Sequence, residues 1–156
     1  PSEPTLRRAL HAVDVDLVDR DLGAWLERQA PGSAVAVDGK SLRGAVGRDG
    51  RPVHLLSALV HKEGVVIGQR AVDPAHNEIT EFKPLLAPME LTGKVVTADA
   101  QHTQREHARF LVEDKQADYV FTVKDNQPTL LADLEALPED AFSPSRCDHQ
   151  QGSRTA

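Results

Sequence analysis

The chain has 156 residues, of which 40% are hydrophobic and only 4% aromatic, and its formal net charge is −6. That length and composition fit one ordinary domain with an aliphatic core. The charge excludes a wholly basic nucleic-acid-binding surface, the single Cys147 excludes an intrachain disulfide, and no apolar run approaches the roughly 18 residues of a membrane span. With no zinc-type Cys/His spacing and no charged-then-apolar leader, a soluble, cytoplasmic protein without a membrane partner is expected. Pro1 and the apolar-poor stretch 143–156 read as cut or ragged ends, with a disordered tail over 141–156.

In chain order, Leu6, Leu10, Val13, Leu17, Leu22, Trp25 and Leu26 recur mostly every three or four residues, which predicts two short amphipathic helices, a lead-in over 1–32 closed by Pro31-Gly32. Three strands follow at 34–37, 53–60 and 65–72. Asp49-Gly50 and a short loop ending in Gly64 join them as hairpins, so the opening is an antiparallel meander. Residues 77–89 carry Ile79, Phe82, Leu85, Leu86 and Met89 on a helical period, with Pro84 expected to bend the helix. Such a helix is the crossover a parallel strand requires, and that strand is 94–98. Thr103 and Glu106 have capping-box spacing for a helix running to about residue 115. A strand at 119–123, a polar turn at 124–128 and a helix opened by Pro128 complete the order.

Two aspartates stand out, each closing an apolar run: Ala34-Val35-Ala36-Val37-Asp38 and Val95-Val96-Thr97-Ala98-Asp99. Asp often follows strands merely to start turns or cap helices. In open α/β sheets, however, chemistry collects beyond the carboxyl ends of parallel strands, where two acids from different strands could share a divalent cation. Lys40, Arg43, Arg48 and Arg51 then crowd the segment after Asp38 against Asp49 alone, a local basic patch suited to phosphate within an acidic chain.

Other constellations carry less. Gly39-Lys40-Ser41 lacks the upstream glycine of a phosphate loop, because Ala34 stands there. Glu78 is expected either to cap its helix or to approach the acids. His102 and His107 read as surface or loop residues, no serine sits in a nucleophile elbow, and Cys147 falls in the tail.

The order βββαβαβα after a helical lead-in, with acids on the first and fourth strands, is the plan of a ribonuclease H-like α/β domain with a mixed sheet, here over 33–140. Five words also match a family: Ala36-Val37-Asp38-Gly39-Lys40-Ser41-Leu42-Arg43-Gly44, His54-Leu55-Leu56-Ser57-Ala58, Asn77-Glu78-Ile79, Thr97-Ala98-Asp99-Ala100 with Gln104, and Lys124-Asp125-Asn126-Gln127-Pro128. In that order they resemble the DDE transposases of bacterial insertion sequences, in the branch containing the H-repeat-associated proteins.

The resemblance implies DNA transposition by an Asp-Asp-Glu site holding two divalent cations, Mg2+ or Mn2+. Asp38 matches the first acid and Asp99 the second, as catalytic and metal-binding residues. Lys40 and Arg43, from the clustering of charge after Asp38, are expected nucleic-acid contacts, and for Lys124, Asn126 and Gln127 the resemblance implies contact with DNA or support of the active site. The implied partners are insertion-sequence ends, target DNA and a second copy in a homo-oligomer. Asp148-His149-Gln150-Gln151-Gly152 stands where the third-acid motif belongs and does not reproduce it. The expectation is therefore a truncated copy, inactive alone, or else a non-catalytic remnant that binds DNA or self-associates.

Overall fold

A computed structural model describes residues 1–47, 50–73 and 77–138. The hairpin tip at 48–49 and the tail at 141–156 lie outside the described residues, as do Cys147 and the stretch beginning at Asp148. The elements are α1 (Glu3–Ala12), α2 (Val15–Gln29), β1 (Ala34–Val46), β2 (Pro52–Val60), β3 (Val65–Ala71), α3 (Glu78–Leu86), β4 (Val95–Ala98), a 3-10 turn (Ala100–His102), α4 (Arg105–Arg109), β5 (Asp118–Phe121) and α5 (Pro128–Glu135). No helix among the described residues is long and apolar enough to cross a membrane.

The strands form one five-stranded sheet in the order β3-β2-β1-β4-β5. β1, β2 and β3 pair antiparallel, whereas β4 runs parallel to β1 and β5 parallel to β4. This is the mixed sheet expected from the crossover argument. One face is the core: Val35, Val37, Leu56, Ala58, Val60 and Val96 are buried against Phe82, Leu85 and Leu86 of α3 and against Leu111. Phe82 is the anchor, stacked on the His107 ring at 4.1 Å between centroids and edge-on to Phe121 at 6.2 Å.

α2 covers the outer edge of β3. Its Gly23 lies so close to the strand that an added Cβ would stand 2.3 Å from the Ile67 carbonyl oxygen, and Asp19 Oδ2 accepts the Gln69 N–H at 3.3 Å. Capping an edge strand in this way removes unpaired backbone that would otherwise invite pairing with another chain. α1, by contrast, buries no residue.

Several local expectations are corrected. β1 does not stop at Val37: the ladder with β2 continues through Asp38↔Ser57 to Ser41↔His54. Backbone pairing sustains a strand that hydropathy alone would end. Pro84 remains inside a continuous α3. Its missing hydrogen bond and ring clash cost about 3 kcal/mol, less than the sum gained from burying Phe82, Leu85 and Leu86 at about 1.5–3 kcal/mol each. Thr103 caps nothing: Gln104 precedes α4 without a side-chain cap, and Thr103 Oγ1 donates to the Thr122 carbonyl at 2.7 Å. Past Arg109 the helix widens into a π turn over Phe110–Asp114. His102 and His107 are core residues, 1% and 3% exposed, because the aromatic-poor core uses their rings as packing surface against Phe82.

Candidate functional site

The register of β1 on β4 places the two aspartates. The last pair is Val37↔Ala98, so Asp38 and Asp99 are the next residues on adjacent parallel chains, whose spacing is about 4.8 Å. Both are exposed. Asp99 Oδ1 accepts the Gln101 N–H at 3.1 Å, a turn-capping bond that holds its carboxylate at the strand end. Asp38 lies on the face of β1 opposite to buried Val35 and Val37, because strand side chains alternate.

The turn after Asp99 is stapled from the next strand's end. Asn126 Nδ2 donates to the Ala100 carbonyl at 2.6 Å, and Gln127 Nε2 donates to the Thr103 carbonyl at 3.0 Å. Both amide nitrogens are thus committed to the backbone around Asp99. Lys40 is exposed two residues beyond Asp38, so alternation puts it on the aspartate's face. Lys124 is exposed in the loop after β5. Arg43 lies past Ser41, where the pairing of β1 with β2 loses regular register, and is not brought into a described contact with the acids.

The network missed from the sequence lies on the core side. Asn77 caps α3 by accepting the Thr80 N–H at 3.2 Å, which leaves Glu78 free of that task. Glu78 Oε1 accepts from His54 Nε2 at 2.6 Å, and His54 Nδ1 meets Ser41 Oγ at 2.9 Å. Glu78 Oε2 is 3.4 Å from His102 Nε2, within ion-pair reach, yet neither ring nitrogen of His102 has a hydrogen-bond partner among the described residues. Glu78 does not complete a metal trio: among the described residues no three His, Cys, Asp or Glu side chains are arranged to hold an ion. A cleft of about 430 Å3 opens beside this network, lined in part by Ser41, His54, Asn77, Glu78 and Gln101. No periodicity signals these contacts; the traces are that His54 and Glu78 fall inside the family-like words and that an approach to the acids is one of the two roles expected of Glu78.

His107 Nδ1 and Nε2 face the carbonyls of His102 and Ile79, each at 3.1 Å. Burial nevertheless outweighs those two acceptors and pushes the ring's pKa below its ordinary value.

A five-stranded sheet of order β3-β2-β1-β4-β5 with this helical crossover defines a ribonuclease H-like domain. Its likeness in fold extends to the cryo-EM structure of a piggyBac transposase synaptic complex with hairpin DNA, at a TM-score of 0.50 and 18% identity, covering 93% of this chain and 34% of that one. The family model for the transposase DDE domain matches residues 29–154, and the chain belongs to that family. "Putative transposase YncI" of Escherichia coli O157:H7 is 32% identical over 149 residues, covering 92% of this chain and 38% of the relative. "H repeat-associated putative transposase YhhI" of Escherichia coli K12 is 36% identical over 126 residues, covering 74% of this chain and 33% of the relative. The chain thus spans well under two thirds of the length of these relatives.

Proposed function

We propose that this chain is the catalytic-core portion of an enzyme of DNA transposition, with Asp38 and Asp99 as two of its metal-holding acids. The observation that carries the reading is their placement one residue beyond the last pair of adjacent parallel strands. Membership of the transposase DDE family supports the chemistry.

The donor set fits a hard divalent cation. Two exposed carboxylates offer oxygen ligands of the kind Mg2+ and Mn2+ prefer, and Asp99 keeps acceptor capacity beyond its bond to Gln101. When bound, such ions supply Lewis-acid activation of a water or 3′-hydroxyl and stabilise a leaving oxygen on phosphate. The chain's own part is positional. Asn126 and Gln127 hold the Asp99 turn. Lys40 offers a phosphate contact beside Asp38, and Lys124 offers one at the same end of the sheet. DNA affinity then falls with added salt as phosphate counterions are exchanged, despite the net charge of −6.

A second reading, a non-catalytic remnant that binds DNA or self-associates, is favoured by one observation: no third acidic ligand joins the pair among the described residues. The test is strand cleavage of DNA carrying insertion-sequence ends, with Mg2+ or Mn2+. The catalytic-core reading expects weak cleavage by this chain, strong cleavage by a longer one supplying a third acid, and loss of both on Asp99→Ala. Cleavage that is indifferent to Asp99→Ala would remove Asp99 from the site, and cleavage absent even from the longer protein would favour the remnant.

A further inference from the structure

We infer that Glu78 is a positioning residue for the acid pair, one carboxylate that fixes the backbone beside Asp38 and the turn beside Asp99 at the same time. The inference rests on the reading of Asp38 and Asp99 as the metal-holding pair and adds a residue to it.

Three contacts converge on this side chain, which is only 17% exposed. A carboxylate that far from water needs partners, because desolvating it unpaired is costly. The first contact is with β1. A Cβ built on Gly39 would stand 2.3 Å from Glu78 Cδ, Oε1 and Oε2 alike, so the carboxylate plane lies flat on the glycine directly after Asp38. Any side chain at position 39 would have to push that carboxylate aside. The second contact is with β2. A carboxylate only accepts, so the pair across 2.6 Å has His54 donating from Nε2. His54 Nδ1 then accepts the Ser41 hydroxyl at 2.9 Å, which ties β1 and β2 together beside the pair Asp38↔Ser57. The third contact is with the 3-10 turn after Asp99: the buried His102 ring lies 3.4 Å from Glu78 Oε2, and its backbone N–H bonds to the Asp99 carbonyl at 3.1 Å.

The segments carrying the two acids are therefore gauged against one group delivered by α3. Glu78 does this without joining the acids as a ligand. It presses on Gly39 from the core face, whereas alternation sends the Asp38 side chain to the opposite face. Partners of this kind, behind a metal site, typically change affinity by about 10- to 100-fold when removed.

Two readouts on the 156-residue chain test this. Without metal, Glu78→Ala is expected to shift the backbone amide NMR signals of Gly39 and of Ala100, Gln101 and His102 together, while Glu78→Gln, which retains an oxygen acceptor for His54, leaves them near wild type. Signals that move only within α3 would overturn the proposal. In a Mn2+ titration, Glu78→Ala is expected to weaken binding by about tenfold or more, Glu78→Gln to restore most of it, and Asp38→Asn or Asp99→Asn to abolish it. Binding by Glu78→Ala equal to wild type overturns the positioning role while the acid pair stands. Glu78→Gln losing as much as Glu78→Ala makes the carboxylate a ligand and also overturns it. Mn2+ affinity unchanged by Asp38→Asn and Asp99→Asn instead sinks the acid-pair reading, whatever the amide signals show. Should Glu78→Ala fail to fold, His54→Ala removes the tether and carries both readouts with the same expected outcomes.

Discussion

The carboxyl end of the sheet and the N-terminal helix α1 are built on opposite terms. Around Asp38 and Asp99, segments distant in sequence are tied by Glu78, Asn126, Gln127 and Thr103. α1 has comparable helical patterning but buries nothing: Leu6 is 50% and Leu10 72% exposed. Amphipathic spacing confers a face to bury, not a partner to bury it against. A ten-residue helix is marginal in water without such packing. The order at the acid end is imposed from outside its own segments, and the order of α1 is only local.

Substitutions at graded distances from the core break or sharpen this contrast. The largest effect is expected for Phe82→Ala, which removes the ring joining α3 to the site's histidines. A loss of about 3–5 kcal/mol in denaturant unfolding is expected; a loss below about 1 kcal/mol would mean that α3 does not organise that end. Gly39→Ala should cost about 1–3 kcal/mol through overpacking against the Glu78 carboxylate, and a chain of wild-type stability would contradict the close approach. Asn126→Ala should cost about 1 kcal/mol and speed amide exchange in the 3-10 turn after Asp99, leaving α2 unchanged.

Acidification probes the same side of the molecule. The folded His107 binds its proton less readily than an unfolded histidine because it is buried. Below about pH 6.5 the unfolded chain takes up a proton that the fold resists. Stability is therefore fully present above that pH, falls as pH drops below it, and levels off beneath the folded pKa. Comparing unfolding midpoints from pH 7.5 down to 5 in wild type and His107→Phe should show the variant lacking this component; identical pH slopes would refute it. The smallest effect belongs to α1, where Leu10→Ser should change stability by no more than about 0.5 kcal/mol. A larger loss would show that the helix is covered.

Much of the fold was legible because burial has a period. The apolar runs at 34–37 and 94–98, the helix between them and the glycine-marked turns were enough for element order and for two acids at one sheet end. Hydropathy misjudged the continuation of β1 beyond Asp38, since its polar residues are held by pairing to β2 and not by burial. It misplaced His102 and His107 because a histidine's preference for surface or core depends on which rings and carbonyls surround it.

By itself, then, the sequence determined the element types, their succession and the residue that ends each apolar run, since these follow from local period and turn chemistry. Only the tertiary structure decided that Glu78 lies on Gly39 and reaches His54, which is 24 positions away, and that Asn126 reaches back 26 positions to Ala100. Contacts of that span leave no periodic trace, because they depend on how the strands are ordered in space and not on the spacing of residues along any one of them.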